Sequence, residues 1–430
     1  RGGQLFALCK NRTFCVHLTK RGMATKTGTE GTGGEHPAVT RFREYLRIRS
    51  VQPDPDYGSV VSYLKRLAAE MELDYQCIEP VEKRPVVVMT WRGSEPHLPS
   101  ILLNSHTDVV PVFPEYWKYE PFSAAKDAEG NIYARGSQDM KCVGSQYMEA
   151  VRRLKEEGIT LRRTVHLSFV PDEEIGGRTG MLPFTHTKVF KHLNVGFAMD
   201  EGMANPGEGF KVYYGQRSGW WVRIDIKGNP GHASQFIKNT AAQKMKNIVT
   251  KILDLRDSEE KRLESNPTLK LGDVITPNLT HLQGGVQYNV VPAEMTVGFD
   301  VRIPPDVDLE EFEGRIRTWC ATEGDDVTYE VIKRGNATEL TSIGEDSPWW
   351  SAFSGACKQM GLKIETEVFP AGTDSKYLRR LGIPALGFSP MNNTPVLLHD
   401  HNEYLNETVF LKGIQIYQEI ISRLANVPPS

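Results

Sequence analysis

Three apolar segments that each lead into acidic or histidine side chains constrain this chain more than any other feature of its sequence. Short apolar runs of this kind predict buried β-strands. In open α/β sheets, ligands bind outside the carboxyl ends of parallel strands. We therefore expect the polar residues behind these runs to meet at one edge of a sheet. Residues 100–103 precede His106, residues 164–170 precede Glu173 and Glu174, and residues 195–199 precede Asp200 and Glu201.

The first segment leads into a histidine with an aspartate two residues on. Positions i and i+2 of a strand point to the same side, so Asp108 is expected to hold the His106 ring. That is the usual arrangement around a metal-ligating imidazole. Asp139 follows a strand and a glycine turn, and a distant LLHDH run adds His399 and His401. Two histidines with several carboxylates suit Zn²⁺, or another first-row divalent ion, better than Ca²⁺.

The order of predicted elements indicates two domains, as expected for a chain of 430 residues. Strand-like and helix-like segments alternate up to about Val212, which predicts a sheet covered by helices. From Tyr213 the order is typical of a small β-α-β-β-α-β unit. Its predicted strands are 218–228, 276–282, 294–301 and 327–332, and its predicted helices are 240–255 and 308–320.

Ser347 and Pro348 mark the return of the chain to the first domain, because they suit the N-cap and first position of a new helix. We therefore predict a main domain made of residues 35–212 and 334–430, split around an inserted domain at 213–333.

Composition and charge exclude several classes of protein. The formal net charge is −3 and no broad basic face is apparent, so no nucleic-acid partner is expected. No apolar run approaches the roughly 20 residues of a membrane-spanning helix, so no membrane partner is expected. The six cysteines are scattered, which favours reduced thiols in a cytoplasmic protein over a disulfide framework.

Residues 1–34 are expected to form a disordered N-terminal extension. The first 21 residues are basic and lack acidic side chains, so they could imitate a mitochondrial transit peptide. Met23 has an ordinary initiator context, which favours an upstream extension over a targeting segment. The Gly/Thr-rich stretch at 27–34 is typical of a disordered linker.

Longer runs around the candidate residues carry a resemblance to a known family. They include NSHTDVVPVF, IYARGSQDMKCV, FVPDEEIGG, DEGMANP, GHAS, GGVQYNVVPAEM, TDSKY and ALGFSPMNNTPVLLHDH, and they extend from about His36 almost to the C-terminus. In these runs the chain resembles the M20 family of co-catalytic zinc hydrolases. The resemblance implies an α/β catalytic domain with a mixed sheet flanked by helices. It also implies an inserted α+β ferredoxin-like lid domain that forms the interface of a homodimer.

The resemblance further implies two Zn²⁺ ions per subunit and a role for each ligand. Asp139 matches the carboxylate that bridges the two ions. His106 and Glu201 match the other ligands of one ion, and Glu174 and His399 match those of the second.

Two choices between neighbouring residues follow from the same pattern. The histidine that comes first in the LLHDH run is the family's ligand, which favours His399 over His401. Glu201 is favoured over Asp200, and the residue not chosen is expected to be structural. The peptide bond Asp139–Met140 is expected to be cis.

Three further residues are implied to act on the reaction or on a ligand. Glu173 matches the general base, and Asp108 would orient His106. His232 lies in the inserted domain and is implied to reach the active site of the partner subunit, where it would bind the transition-state oxyanion.

The implied reaction is the hydrolysis of small N-acyl-L-amino acids, with N-acetyl groups and neutral side chains, to a carboxylic acid and a free amino acid. Asn289, Arg302, Thr373 and Gly387 match positions that hold substrate or shape its pocket. Lys376 replaces an arginine that similar enzymes tend to carry, and lysine lacks the planar fork of arginine. The alternatives are a dipeptidase or carboxypeptidase of the same fold and a non-catalytic dimeric scaffold.

Overall fold

The computed structural model describes residues 34–337 and 339–429, and its described helices and strands all lie in the compact unit that begins at Pro37. The extension predicted for residues 1–34 lies outside the described residues, apart from Gly34. The described helices are α1 (Pro37–Leu46), α2 (Tyr57–Glu70), α3 (Lys141–Glu156), α4 (Met181–Thr185), α5 (Lys188–His192), α6 (Ala241–Ser265), α7 (Leu309–Ala321), α8 (Pro348–Gln359), α9 (Ser375–Arg379) and α10 (Glu407–Ala425). Within the two described ranges, none of these helices combines the length and the apolar character needed to cross a membrane.

The strands belong to two larger sheets and two small ribbons. The described strands are β1 (Asp74–Val81), β2 (Arg84–Trp91), β3 (Ser100–His106), β4 (Ala125–Lys126), β5 (Asn131–Tyr133), β6 (Val165–Val170), β7 (Val195–Asp200), β8 (Phe210–Gln216), β9 (Ser218–Lys227), β10 (Gly231–His232), β11 (Thr276–Gly284), β12 (Val290–Val291), β13 (Glu294–Ile303), β14 (Val327–Arg334), β15 (Ile364–Phe369), β16 (Ala385–Phe388) and β17 (Tyr404–Asn406).

The large sheet has eight strands in the order β1-β2-β6-β3-β7-β16-β8-β15. Its central strands β6, β3 and β7 pair in parallel, whereas β1 and β2 pair antiparallel at one edge. Successive side chains of a strand point to opposite faces. Ile101 and Leu103 accordingly share a core with α1, α3 and α10, and Leu102 packs with α4 and α9 on the other face. The predicted mixed sheet flanked by helices is confirmed.

The small sheet has four antiparallel strands in the order β11-β13-β9-β14. Trp220, Val222 and Ile224 of β9 are buried in a core shared with α6 and α7, whereas Trp221 and Arg223 between them are exposed. This alternation is what a sheet covered on one face requires. The chain order β9-α6-β11-β13-α7-β14 is the predicted β-α-β-β-α-β unit.

The chain passes between the two sheets close to the expected domain limits, which remain predictions. Strand β8 stays in the large sheet as far as Gln216, and β14 ends at Arg334 in the small sheet. Ser347 caps α8 by accepting a hydrogen bond from the backbone N–H of Trp350. Buried residues of α8 then join the core shared by α1, α3 and α10, so the chain has returned to the large sheet.

Candidate metal centre

The candidate ligands gather where the three central parallel strands of the large sheet end. His106 is the last residue of β3, and it stands level with Val170 at the end of β6. Glu173 and Glu174 follow β6, and Glu201 follows β7 on the other side of β3. Because parallel strands present their carboxyl ends at the same edge, these side chains converge.

Asp139 lies between two imidazoles and extends one carboxylate oxygen towards each. Its Oδ1 is 3.0 Å from His106 Nε2, and its Oδ2 is 3.2 Å from His399 Nε2. His106 Nε2 is also 3.5 Å from Glu201 Oε2, and His399 Nε2 is 3.0 Å from Glu174 Oε2. The structure thus brings together all five residues that were expected to be metal ligands.

Glu173 also lies at this cluster. Its side chain, that of His106 and that of Glu201 offer ligand atoms within 4.8 Å of one another, and a second such group consists of His106, Asp139 and Glu174. Glu173, the expected general base, therefore lies among the expected metal ligands.

The electrostatics of the cluster fit a bound divalent cation. Burial raises the pKa of Glu174 to about 8, with the Asp139 carboxylate as the next cause. Burial raises the pKa of Glu173 to about 7 and also raises that of Glu201. Among the described residues, the buried Glu174 Oε1 has no hydrogen-bond partner. Carboxylates crowded together away from water are stabilised by a cation of high charge, and the mixed nitrogen and oxygen donors suit a first-row metal.

The contact between His106 and Asp108 differs from the expected one. His106 Nδ1 is 2.9 Å from the backbone carbonyl of Asp108 and 3.6 Å from its Oδ1. The Asp108 carboxylate instead accepts hydrogen bonds from the backbone N–H groups of Glu173, at 3.1 Å, and Glu174, at 3.2 Å. Strand β3 ends at His106, so strand alternation does not govern Asp108. Asp108 links the histidine to the turn that carries both glutamates.

The two choices between neighbouring candidates have a clear geometric outcome. His399 contacts the cluster, whereas the ring of His401 lies 4.9 Å from the ring of Tyr116. Asp200 accepts hydrogen bonds from the backbone N–H of Ser375 at 2.9 Å and from its hydroxyl at 2.7 Å. Asp200 therefore ties β7 to the start of α9.

Glu403 is a buried carboxylate that sequence reasoning missed. It accepts hydrogen bonds from Arg135 Nη1 at 2.6 Å and from the backbone N–H groups of Gln138 and Asp139, at 2.6 and 3.3 Å. It thereby holds the loop that carries Asp139, whose peptide bond to Met140 is cis, as expected. No local pattern marks it, because its partners Arg135 and Gln138 lie 268 and 265 positions away in the chain.

Of the expected substrate residues of the large sheet, Gly387 lies beside a candidate ligand. Gly387 pairs with Asp200 across β16 and β7, and a Cβ atom placed on it would be only 2.5 Å from the Glu201 backbone carbonyl. The position therefore requires glycine beside a candidate ligand. Thr373 is buried, with its Oγ1 3.4 Å from Gln216 Oε1.

The expected functional residues of the inserted unit make their described hydrogen bonds and ion pairs within residues 213–333. His232 is exposed in β10, and its Nδ1 lies 2.7 Å from the Ser234 hydroxyl. Asn289 is its neighbour, because the Asn289 carbonyl accepts a hydrogen bond from the backbone N–H of Ala233 at 3.0 Å. Arg302 donates to Asp300 at 2.6 and 3.1 Å. The hydrogen bonds and ion pairs described for residues 34–337 and 339–429 do not join these three residues to the ligand cluster.

Similarity to known proteins covers almost the whole chain. The sequence model of peptidase family M20/M25/M40 matches residues 102–423. Aminoacylase-1 of Mus musculus is 55% identical over 400 residues, which span 93% of this chain and 98% of that relative.

Solved structures show the same fold. The M20 family metallo-carboxypeptidase Sso-CP2 from Sulfolobus solfataricus superposes with a TM-score of 0.70 at 17% identity, over 91% of this chain and 100% of that one. The Bacillus subtilis YXEP protein, a dinuclear metal binding peptidase from the M20 family, superposes with a TM-score of 0.64 at 17% identity, over 91% and 99% of the two chains.

Proposed function

The chain belongs to peptidase family M20/M25/M40, and from that premise we propose that it is a metal-dependent amidohydrolase of N-acyl-L-amino acids. The products are a carboxylate and a free L-amino acid, and the proposed substrates are N-acetylated amino acids with neutral side chains. The observation that carries the proposal is the similarity to aminoacylase-1 over almost the full length of both chains. The buried cluster of imidazoles and carboxylates supports the same conclusion.

Two Zn²⁺ ions are the proposed cofactor. Asp139 would bridge them, with His106 and Glu201 on one ion and Glu174 and His399 on the other. This assignment is supported by the two oxygens of Asp139, each of which faces a different imidazole. When bound, such ions lower the pKa of water and polarise an acyl carbonyl.

Glu173 is the proposed general base. It would take the proton of the attacking water and deliver it to the departing amine. Its buried position beside His106 and Glu201 supports this role, because a carboxylate there can reach a water at the metal centre. Asp108 would keep this turn in place through the backbone N–H groups of Glu173 and Glu174.

A homodimer is proposed because His232 has no described contact with the cluster of its own chain. An imidazole from the second copy would then bind the oxyanion that develops on the acyl carbonyl. Arg302 is proposed to hold the substrate carboxylate with its planar fork, and Asn289, Thr373 and Gly387 to shape the pocket. The cytoplasm is the proposed compartment, supported by free thiols at Cys77, Cys142, Cys320 and Cys357.

The proposal is tested by measuring how fast the zinc-loaded protein hydrolyses N-acetyl-L-methionine. The dipeptide Met-Ala is assayed in parallel, and chelator-treated protein is the control. Chelator-sensitive release of methionine from the acetylated substrate is expected. Cleavage of Met-Ala alone would replace the proposal by a peptidase of the same fold. Absence of bound metal together with absence of turnover would favour a non-catalytic scaffold.

A further inference from the structure

Gln52 joins two buried carboxylates next to the turn that carries Glu173 and Glu174. Its side-chain amide donates hydrogen bonds to Asp108 Oδ2 at 2.8 Å and to Asp172 Oδ1 at 3.0 Å. Gln52 and both aspartates are buried. An amide nitrogen carries two N–H donors, so this one side chain serves an acceptor on each carboxylate.

The Asp108 carboxylate connects this bridge to the candidate metal centre. It accepts hydrogen bonds from the backbone N–H groups of Glu173 and Glu174, and the Asp108 carbonyl lies 2.9 Å from His106 Nδ1. The backbone of both glutamates therefore depends on where the Asp108 carboxylate is held.

Asp172 directly precedes the candidate base and has a backbone conformation that needs support. Its φ of 61° lies in the left-handed region, which costs free energy for a residue with a side chain. Three further donors reach its carboxylate: the Tyr57 hydroxyl at 2.6 Å, the Thr179 hydroxyl at 2.6 Å and the Arg84 guanidinium. Gln52 adds a fourth donor to this buried carboxylate and connects it to Asp108.

The backbone around Gln52 is anchored to the same loop that carries Asp108. The Gln52 N–H donates to the Val109 carbonyl at 2.9 Å, and the Val109 N–H donates to the Ser50 carbonyl at 2.9 Å. The Ser50 hydroxyl donates to the Thr107 carbonyl at 2.5 Å. Because this backbone is already ordered, placing the amide between the two carboxylates costs little more than its own side-chain entropy.

We propose that Gln52 is a positioning residue for the hydrolytic reaction, which holds the turn of the candidate base in a fixed position relative to His106. The inference rests on the proposed function and adds one residue to its machinery. Asp108 and Asp172 repel each other when both are ionised, and the shared amide stabilises both charges by hydrogen bonds. Without the amide, these carboxylates would move apart and displace the turn. A displacement of the base by about 1 Å is enough to cost about 10²-fold in rate.

The test uses Gln52→Met, which keeps an unbranched, uncharged side chain of similar length but has no N–H donor. For N-acetyl-L-methionine we expect kcat to fall about 10–100-fold, while KM stays within about threefold because no pocket residue is changed. Affinity for Zn²⁺, measured by competition with a coloured chelator, should fall about tenfold, because the turn also carries Glu174. Gln52→Asn, whose shorter stem cannot span both carboxylates, should lower kcat and Zn²⁺ affinity in the same way, and it replaces the methionine variant if that variant does not fold.

Gln146→Met is the matched control for loss of stability. It makes the same replacement at another buried glutamine, whose Nε2 donates to the Phe410 carbonyl at 3.1 Å where α3 packs against α10. It should unfold at a lower denaturant concentration than the wild type but keep its kcat and Zn²⁺ affinity. A loss of kcat in Gln146→Met equal to that in Gln52→Met would mean that destabilisation alone explains the effect, and it would overturn the inference.

Thr179→Val tests whether the connection to Asp108 matters. The Thr179 hydroxyl donates to the same Asp172 carboxylate, and no hydrogen bond described for residues 34–337 and 339–429 joins it to Asp108. Its losses of kcat and Zn²⁺ affinity should therefore be smaller than those of Gln52→Met. Equal losses would place the whole effect in Asp172 and would overturn the inference.

Unchanged kcat and Zn²⁺ affinity in Gln52→Met would overturn it as well. If the wild type hydrolyses no acylated amino acid, the proposed function fails by itself. Zn²⁺ affinity then still decides the inference. A loss confined to the Gln52 variants would show that the amide positions the metal-binding turn, and equal affinities would refute that role.

Discussion

The large sheet and the small sheet carry their candidate functional residues in opposite ways. At the large sheet, His106, Asp139 and Glu201 are buried, contact one another and are supported by further hydrogen bonds. In the inserted unit, His232 is exposed, and its ring nitrogen Nδ1 lies 2.7 Å from the Ser234 hydroxyl. One chain therefore brings the candidate ligands together, whereas no hydrogen bond or ion pair among residues 34–337 and 339–429 joins His232 to them.

The largest expected effect separates proton transfer from metal binding at the large sheet. Glu173→Gln should lower kcat by about 10³-fold or more, because glutamine has nearly the same shape but cannot accept the proton. Metal content, measured by elemental analysis, should stay at the wild-type value because Glu173 is not assigned as a ligand. Turnover close to wild type in this variant would refute the base assignment.

The next effect tests whether the small sheet acts across a dimer. His232→Ala should lower kcat by about 10²–10³-fold without loss of metal, as expected for one oxyanion donor. Mixing His232→Ala subunits with Glu173→Gln subunits should restore activity, since each mixed dimer contains one complete site. The control mixes His232→Ala subunits with subunits that carry both substitutions, and it should restore nothing. No recovery in the first mixture, with subunit exchange demonstrated, would mean that His232 acts within its own chain or not at all.

A third effect contrasts a buried histidine of the large sheet with the exposed His232. Burial lowers the pKa of His166 to about 4, below the ordinary value of about 6.5. Its neutral ring suits the contacts of its two nitrogens with the Thr90 hydroxyl, at 2.8 Å, and the Leu193 carbonyl, at 3.2 Å. Between these pKa values the unfolded chain binds the extra proton. His166 should therefore contribute a decrease of about 3 kcal/mol to the free energy of unfolding as the pH falls from 6.5 to 4.

His166→Gln isolates this contribution in denaturant titrations at several pH values. As the pH falls over this range, the free energy of unfolding of the wild type should decrease relative to that of His166→Gln, with His232→Gln measured alongside as the exposed-histidine control. Parallel curves for His166→Gln and wild type would contradict the buried neutral ring.

The smallest effect concerns the support of the metal loop. Glu403→Gln should weaken metal affinity by about 10–100-fold, the usual range for residues that orient ligands. The reason is that Arg135 loses its charged partner and the loop of Asp139 loses part of its support. Competition with a coloured chelator measures the affinity. Glu407→Gln is the control, because Glu407 pairs with Lys126 and does not contact this loop. Equal affinities for both variants would show that Glu403 does not position Asp139.

The strand ends were predictable because their signals are local. An apolar run followed within a few residues by His106, or by Glu173 and Glu174, reveals both the strand and the chemistry that follows it. Alternation in β9 likewise revealed a sheet with one covered face. The choice of His399 over His401 needed the family pattern, because the two histidines stand two residues apart and no periodicity distinguishes them.

The support around the site was not predictable from local patterns. Glu403 contacts Arg135, which lies 268 positions earlier in the chain. No pattern in either segment predicts this contact. Asp108 was expected to contact the His106 ring through its carboxylate. Because β3 ends at His106, the backbone carbonyl of Asp108 makes the shorter contact instead.

Local sequence was enough to predict the main strands and helices, the candidate metal ligands and the family that the chain resembles. These properties depend on residue type and short-range spacing, which every stretch of the chain carries with it. The folded chain, in contrast, was needed to show that Arg178, Lys333 and Lys376 line one cavity and that Glu403 contacts Arg135. The packing of distant segments against each other determines both results, because the charge and burial of a side chain depend on neighbours far away in the chain.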